Sequence, residues 1–204
     1  MSGTDPYNPL DKRHLGESVA EALLRATPDP LGDLPRFMGA GIYAIYYVGE
    51  FSLYHAIAER NRKDRFELPI YVGKAIPAGA RKGGFGLGEN PGMTLFSRLN
   101  EHAKSIEQAE NLALSDFYCR FLVVDDIWIP LGESLLIAKF SPLWNQWIDV
   151  FGNHDPGKGR YNQERSRWDV LHPGRPFAEK CAARQETLTQ IETDVAARLR
   201  DILE

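Results

Sequence analysis

Cysteine is almost missing from this chain of 204 residues, which has only Cys119 and Cys181, far apart and without histidine or cysteine neighbours at metal-ligand spacing. That excludes a disulfide framework and a cysteine-built zinc centre. It implies two reduced, partly buried thiols in a cytoplasmic protein. Long apolar runs are missing as well, which excludes a membrane-spanning helix. The opening residues, Met1 to Pro6, have neither the basic nor the apolar stretch of a secretory leader. A surplus of positive charge is the third absence. The formal net charge is -4, the wrong sign for a protein that meets nucleic acid over its whole surface.

The charge is unevenly spread. Residues 1–35 hold six acids against three bases, and residues 177–204 hold six against four. By contrast, residues 76–105 have four bases against two acids, and residues 153–175 have five against three. The cations therefore gather in two glycine-bearing middle segments between acidic flanks, which fits a local phosphate-binding groove. With 43% hydrophobic residues the chain can bury one substantial core.

Leu15, Val19, Leu23 and Leu24 recur at helical spacing and predict a helix over 11–25, stopped by Pro28 and Pro30. Aromatic and β-branched residues predict a strand over 38–49. A helix over 51–60 and a charged turn over 60–65 then lead to a second strand over 68–73, antiparallel to the first. Residues 76–93 carry eight prolines and glycines, too many for regular structure. A loop of that length in a compact domain is more often functional than not. A helix over 94–106 capped by Thr94 or a near neighbour, a third strand over 116–124 and a short helix over 133–140, entered after Pro130 and Gly132, come next. A polar connector over 152–175 and an amphipathic helix over 177–203 end the chain. The fold class is α+β: a small central antiparallel three-stranded β-sheet flanked by helices, with helical extensions at both ends.

Two short words stand out, Gly41-Ile42-Tyr43 and Tyr71-Val72-Gly73-Lys74. Each sets a tyrosine in a β-prone stretch beside a glycine, so two strands place phenols on a shared face. Tyr47-Val48-Gly49 is a rival second word, but it follows Tyr43 too closely to occupy a separate strand. Arg98 and His102 lie four apart on one helix and share a face. Glu133 opens a later helix, and Asn145 follows it. In that order, over roughly residues 39–145, the chain resembles the GIY-YIG nuclease superfamily.

The resemblance implies metal-dependent phosphodiester hydrolysis. Glu133 is the hard oxygen ligand for Mg2+, with Mn2+ as a substitute. Arg98 holds the scissile phosphate by paired charge-assisted hydrogen bonds, and His102 donates to phosphate or shuttles a proton. Tyr43 activates the water, Tyr71 orients water or phosphate, and Asn145 ties helix to strands. A phenol of pKa about 10 is a weak base at neutral pH unless cations favour the phenolate or the phenol relays a proton. Lys74 is either such a cation or itself the base, and both readings stay open.

Recognition has its own candidates. Arg81 and Lys82 sit in the glycine loop, and Lys158, Arg160, Asn162 and Gln163 sit in the later connector, ahead of residues 168–175. Such side chains contact phosphates or read base edges. With the Ile129-Pro130-Leu131-Gly132-Glu133 word, residues 39–176 are similar to the type II restriction endonucleases of this class that cut CCGCGG. That implies a homodimer on a palindromic, GC-rich site in double-stranded DNA, with a companion DNA methyltransferase in a prokaryotic host. One nuclease domain is expected over 1–204. Its catalytic core spans about 39–145, a helical extension covers 1–35, and DNA-contacting loops with the C-terminal helix occupy 150–204. The alternatives are a structure-selective repair or mobile-element nuclease of the same superfamily, and a DNA-binding module without activity.

Overall fold

The run Gly41–Tyr47 forms a seven-residue strand, β2, with every residue buried. Aromatic and β-branched side chains on both faces of a strand suit the middle of a sheet covered on both sides. β2 is indeed central in this computed structural model, which describes residues 7–77, 91–148, 151–152, 155, 157 and 161–203. It pairs antiparallel with β3 (Tyr71–Ala75) on one side and with β4 (Phe117–Val123) on the other. A further strand, β1 (Asp29–Pro30), adds to β4, so the order is β1-β4-β2-β3. The sheet thus has four strands where the sequence predicts three. β1 is two residues long and contains proline, so it carries no alternation to read, and its proline suits an edge.

One face of β2 presents Tyr43, Ile45 and Tyr47 to the larger core. That core is closed by α2 (His55–Asn61), α3 (Thr94–Glu107), α5 (Leu143–Gln146), α6 (Arg167–Leu171) and α7 (Leu188–Leu203). The opposite face presents Ile42, Ala44 and Tyr46 to a second core under α1 (Lys12–Arg25) and α4 (Ile129–Phe140). Among the described residues no helix is long and apolar enough to cross a membrane.

Three stretches differ from the sequence expectation. α4 begins at Ile129, so Glu133 lies inside the helix instead of opening it. Proline is tolerated in a first helical turn, where its missing N–H has no partner to lose. The N-cap of α3 is Met93, a near neighbour of Thr94 and so within the expectation, and Thr94 Oγ1 donates to the Pro91 carbonyl at 2.5 Å. The last helix starts at Leu188, after an extended stretch in which Ala182 bridges Glu164. A capping box sets that start: Thr187 N donates to Gln190 Oε1 at 2.8 Å, and Gln190 N donates to Thr187 Oγ1 at 3.3 Å. Finally, the stretch 168–175 is not a polar connector. Trp168, Asp169, His172 and Arg175 are all buried, because Asp169, His172 and Arg175 each find a polar partner inside.

Candidate active site

The two glycine words are steric requirements of one sheet. Tyr43 lies opposite Gly73 in the β2–β3 ladder, and a Cβ on Gly73 would collide with the Tyr43 phenol. The glycine of the second word is therefore the space for the tyrosine of the first. A Cβ on Gly41 would likewise strike the Leu122 carbonyl of β4, so that glycine permits the close approach of the neighbouring strand.

Tyr43 is fully buried, with its hydroxyl 2.6 Å from His102 Nε2 on α3. The Tyr71 hydroxyl and the Arg98 guanidinium lie near the Tyr43 hydroxyl, close enough to act on its ionisation. Arg98 Nη2 donates to the Gly152 carbonyl at 2.8 Å, and Nη1 donates to Glu101 Oε2 at 3.2 Å. Burial, then the neighbouring Tyr71, pushes the Tyr43 phenol well above its ordinary range, against the opposing pull of Arg98. Burial raises Tyr71 as well. Burial works against the charge of Arg98, but Tyr43, Tyr71 and Glu101 more than offset it and hold the guanidinium protonated.

Lys74 follows Gly73, and its side chain falls on the opposite face of the strand. There its Nζ lies 2.5 Å from Glu133 Oε2 on α4. β3 is an edge strand, so the two faces meet at its outer rim. A groove of about 480 Å³ opens there, lined by Lys74, Met93, Thr94, Ser97, Arg98 and Glu101. The negative charge of Glu133 is felt across the rim, where it raises both phenols. The rim is held by Asn145 of α5: Val72 N donates to its Oδ1 and its Nδ2 donates to the Val72 carbonyl, both at 2.8 Å. This amide takes the place of another strand beside β3. The rival tyrosine, Tyr47, accepts from Phe51 N at 2.7 Å near Asp116 and takes no part in this cluster.

Among the described residues no group of three or more His, Cys, Asp or Glu gathers for a metal ion. Among the described residues the carboxylates here are those of Glu133, paired with Lys74, and of Glu101, paired with Arg98. That fits Mg2+, which keeps several waters and is bound through one or two carboxylates plus substrate phosphate.

Of the recognition candidates, Arg81, Lys82, Lys158 and Arg160 lie outside the described residues. Asn162 and Gln163 are exposed, and neither lines the groove. Two residues at the site have no signal in the sequence. The Phe151 ring stacks on His102 at 4.7 Å and 18°, and Gly152 supplies the carbonyl to Arg98. They follow no motif and reach the site only through the tertiary fold.

No curated protein matches the chain. The family model of the Eco29kI GIY-YIG domain matches residues 35–199, a span that contains every residue of this site. This chain therefore belongs to the Eco29kI GIY-YIG family of restriction-type DNA endonucleases.

Proposed function

We propose that the protein cuts double-stranded DNA at a fixed, palindromic, GC-rich site such as CCGCGG, as a Mg2+-dependent homodimer with one active site per strand. A companion methyltransferase then protects the host's own copies of the site. The observation that carries this reading is the meeting of two half-sites at the rim of β3. Tyr71, Tyr43, His102 and Arg98 come from one face, and Lys74 and Glu133 come from the other.

In this reading Arg98, already held by Gly152 and Glu101, presents its guanidinium to the scissile phosphate. Water attacks phosphorus and the bond to the 3′ oxygen breaks, leaving a 5′-phosphate and a 3′-hydroxyl. Buried phenols whose pKa is raised stay protonated at neutral pH, so the water's proton is relayed and no free phenolate is required. The Tyr71–Tyr43 pair takes that proton as Tyr43 hands its own to His102 Nε2. Imidazole is the side chain suited to hold a proton near neutrality. Lys74, paired with Glu133, acts as an ammonium donor at the groove. When Mg2+ is bound, Glu133 holds it, and the ion supplies positive charge to the phosphoryl oxygens.

A digest of a sequenced GC-rich plasmid with Mg2+, with the ends mapped, tests the proposal. Discrete double-strand fragments with fixed ends are expected. Absence of cutting across diverse plasmids sinks the function, and structure-dependent nicks replace it with a repair-type activity. Glu133→Gln should bind DNA and fail to cut. Cutting at the normal rate would remove Glu133 from the metal role.

A further inference from the structure

Between α5 and α6 the chain lays two residues, Phe151 and Gly152, directly on the candidate site. Phe151 is 1% exposed. Besides stacking on His102, its ring meets Tyr71 edge-on at 5.1 Å and 80°. The Gly152 carbonyl holds Arg98, and a Cβ at Gly152 would lie 2.7 Å from Arg98 Nη2 and 3.0 Å from Tyr71 Oη. The pair thus touches His102, Tyr71 and Arg98 at once, with no space to spare.

The anchor of this segment is a buried ion pair. Arg175 Nε and Nη2 donate to the two carboxylate oxygens of Asp169 at 2.6 and 2.8 Å, while Nη1 donates to the Phe151 carbonyl at 3.0 Å. Ser166 Oγ donates to Asp169 Oδ2 at 2.6 Å, and Asp169 N donates back to that hydroxyl at 3.1 Å, which fixes the carboxylate to the first turn of α6. The guanidinium lies over the Trp168 ring at 4.4 Å and the Phe177 ring at 4.8 Å. Arg175 and Asp169 are 1% and 4% exposed. A buried ion pair adds little net stability over apolar residues of the same volume, so folding alone is a weak reason for one here. What this pair adds is direction: two donors of a rigid fork grip Asp169 and a third fixes the Phe151 backbone.

We infer that Phe151–Gly152 is a positioning strap for Arg98 and His102, and that the Arg175–Asp169 pair, remote from the groove, governs turnover by anchoring it. The inference rests on the nuclease reading. Displacement of a positioned group by about 1 Å costs on the order of 100-fold in rate, and the strap holds two such groups.

The test compares wild type, Gly152→Ala and Arg175→Lys for maximal cutting rate of plasmid DNA with Mg2+, half-saturating DNA concentration and melting temperature. Gly152 is not in the left-handed backbone region, so alanine suits the main chain and the fold survives. Its methyl should push Arg98 and Tyr71 aside and lower the maximal rate on the order of 100-fold, with DNA affinity and melting temperature unchanged. Arg175→Lys keeps the charge beside Asp169 but cannot also span to the Phe151 carbonyl. Its loss should be smaller and again confined to the maximal rate. If Arg175→Lys does not fold, Gly152→Ala decides alone. Cutting by Gly152→Ala at the wild-type rate, or a loss confined to DNA affinity, overturns the strap. Failure of the wild type to cut overturns the nuclease reading itself.

Discussion

Two tyrosine–histidine pairs sit beneath the same face of the sheet. Tyr43 meets His102 and Tyr54 meets His172, each with 2.6 Å between hydroxyl oxygen and Nε2. Burial pushes both phenols well above the ordinary range. The surroundings differ. Around Tyr54 the hydrogen bonds close: Trp144 Nε1 donates to the phenol oxygen at 3.0 Å, and His172 Nδ1 lies 2.9 Å from Asn111 Oδ1. Asn111 Nδ2 donates to the Leu171 carbonyl at 2.9 Å, which turns its oxygen toward His172. His172 Nδ1 is then the donor, Nε2 the acceptor, and the Tyr54 hydroxyl donates to it. Around Tyr43 the partners are instead Arg98 and Tyr71, with Glu133 beyond, and Arg98 lines an open groove. The same contact is scaffold where its hydrogen bonds close on neutral groups, and chemistry where it is joined to charge at a rim that substrate can reach.

Replacing each tyrosine by phenylalanine is the strongest way to break that comparison. Tyr43→Phe should lower the cutting rate by about 10²–10⁴-fold, the range for losing a proton-transfer group, and also some stability, since it strands the buried His102 Nε2. Tyr54→Phe should lower stability alone. It strands His172 Nε2 and Trp144 Nε1, and a buried polar group without its partner costs about 1–3 kcal/mol. The rate measured well below the melting temperature should stay at the wild-type level. Urea unfolding and a plasmid digest on both variants check the pair, and an exchange of the two outcomes would refute the distinction.

The two pairs also differ in how far the sequence reveals them. Tyr43 and Tyr71 each belong to a short strand word, and Arg98 with His102 shows the four-residue step of a helix face, so four members of the cluster stand out in the sequence. Strand alternation even separates Lys74 from Tyr71 and Gly73, although the edge position that reunites them at the rim is a property of sheet order. Tyr54 and His172 are 118 residues apart, and neither sits in a periodic pattern. Residues 168–175 read as the end of a polar connector with DNA contacts because Asp169, His172 and Arg175 are polar and Pro173 and Gly174 break regular structure. Their burial depends on Tyr54, Asn111 and Phe151, partners that only the tertiary fold supplies. β1 escapes notice for the opposite reason, being too short to carry any period. Phe151 and Gly152 fall between these cases, since they bear on the site through one carbonyl and one ring.

Acid should separate the pairs next. Burial, and then the nearby Arg175, lowers His172 from an ordinary 6.5 to about 3. Below pH 6.5 the unfolded chain therefore binds a proton at this residue that the folded chain refuses. Its contribution to stability is complete above that pH and is lost as pH falls toward about 3, by about 1.4 kcal/mol per unit. Urea unfolding between pH 5 and about 6.5 should show this slope in the wild type and a shallower one in His172→Gln. Equal slopes in the two would mean that His172 is protonated in the folded protein and that the hydrogen bonds around Tyr54 do not close on neutral groups.

Asn111→Ala should have the smallest effect and draws the finest line, because it separates hydrogen bonding from burial as the reason His172 stays neutral. The asparagine accepts from His172 Nδ1 and donates to the Leu171 carbonyl, so its loss should lower stability by about 1 kcal/mol. It does not set the acid response, since desolvation and Arg175 are what hold the imidazole unprotonated. The stability curve should therefore drop by a nearly constant amount across pH, with its slope kept and cutting unchanged. A flattened slope would show that the side-chain network, and not the low polarity of the core, keeps His172 neutral. The Tyr54 pair would then depend on its neighbours as closely as the Tyr43 pair depends on Arg98.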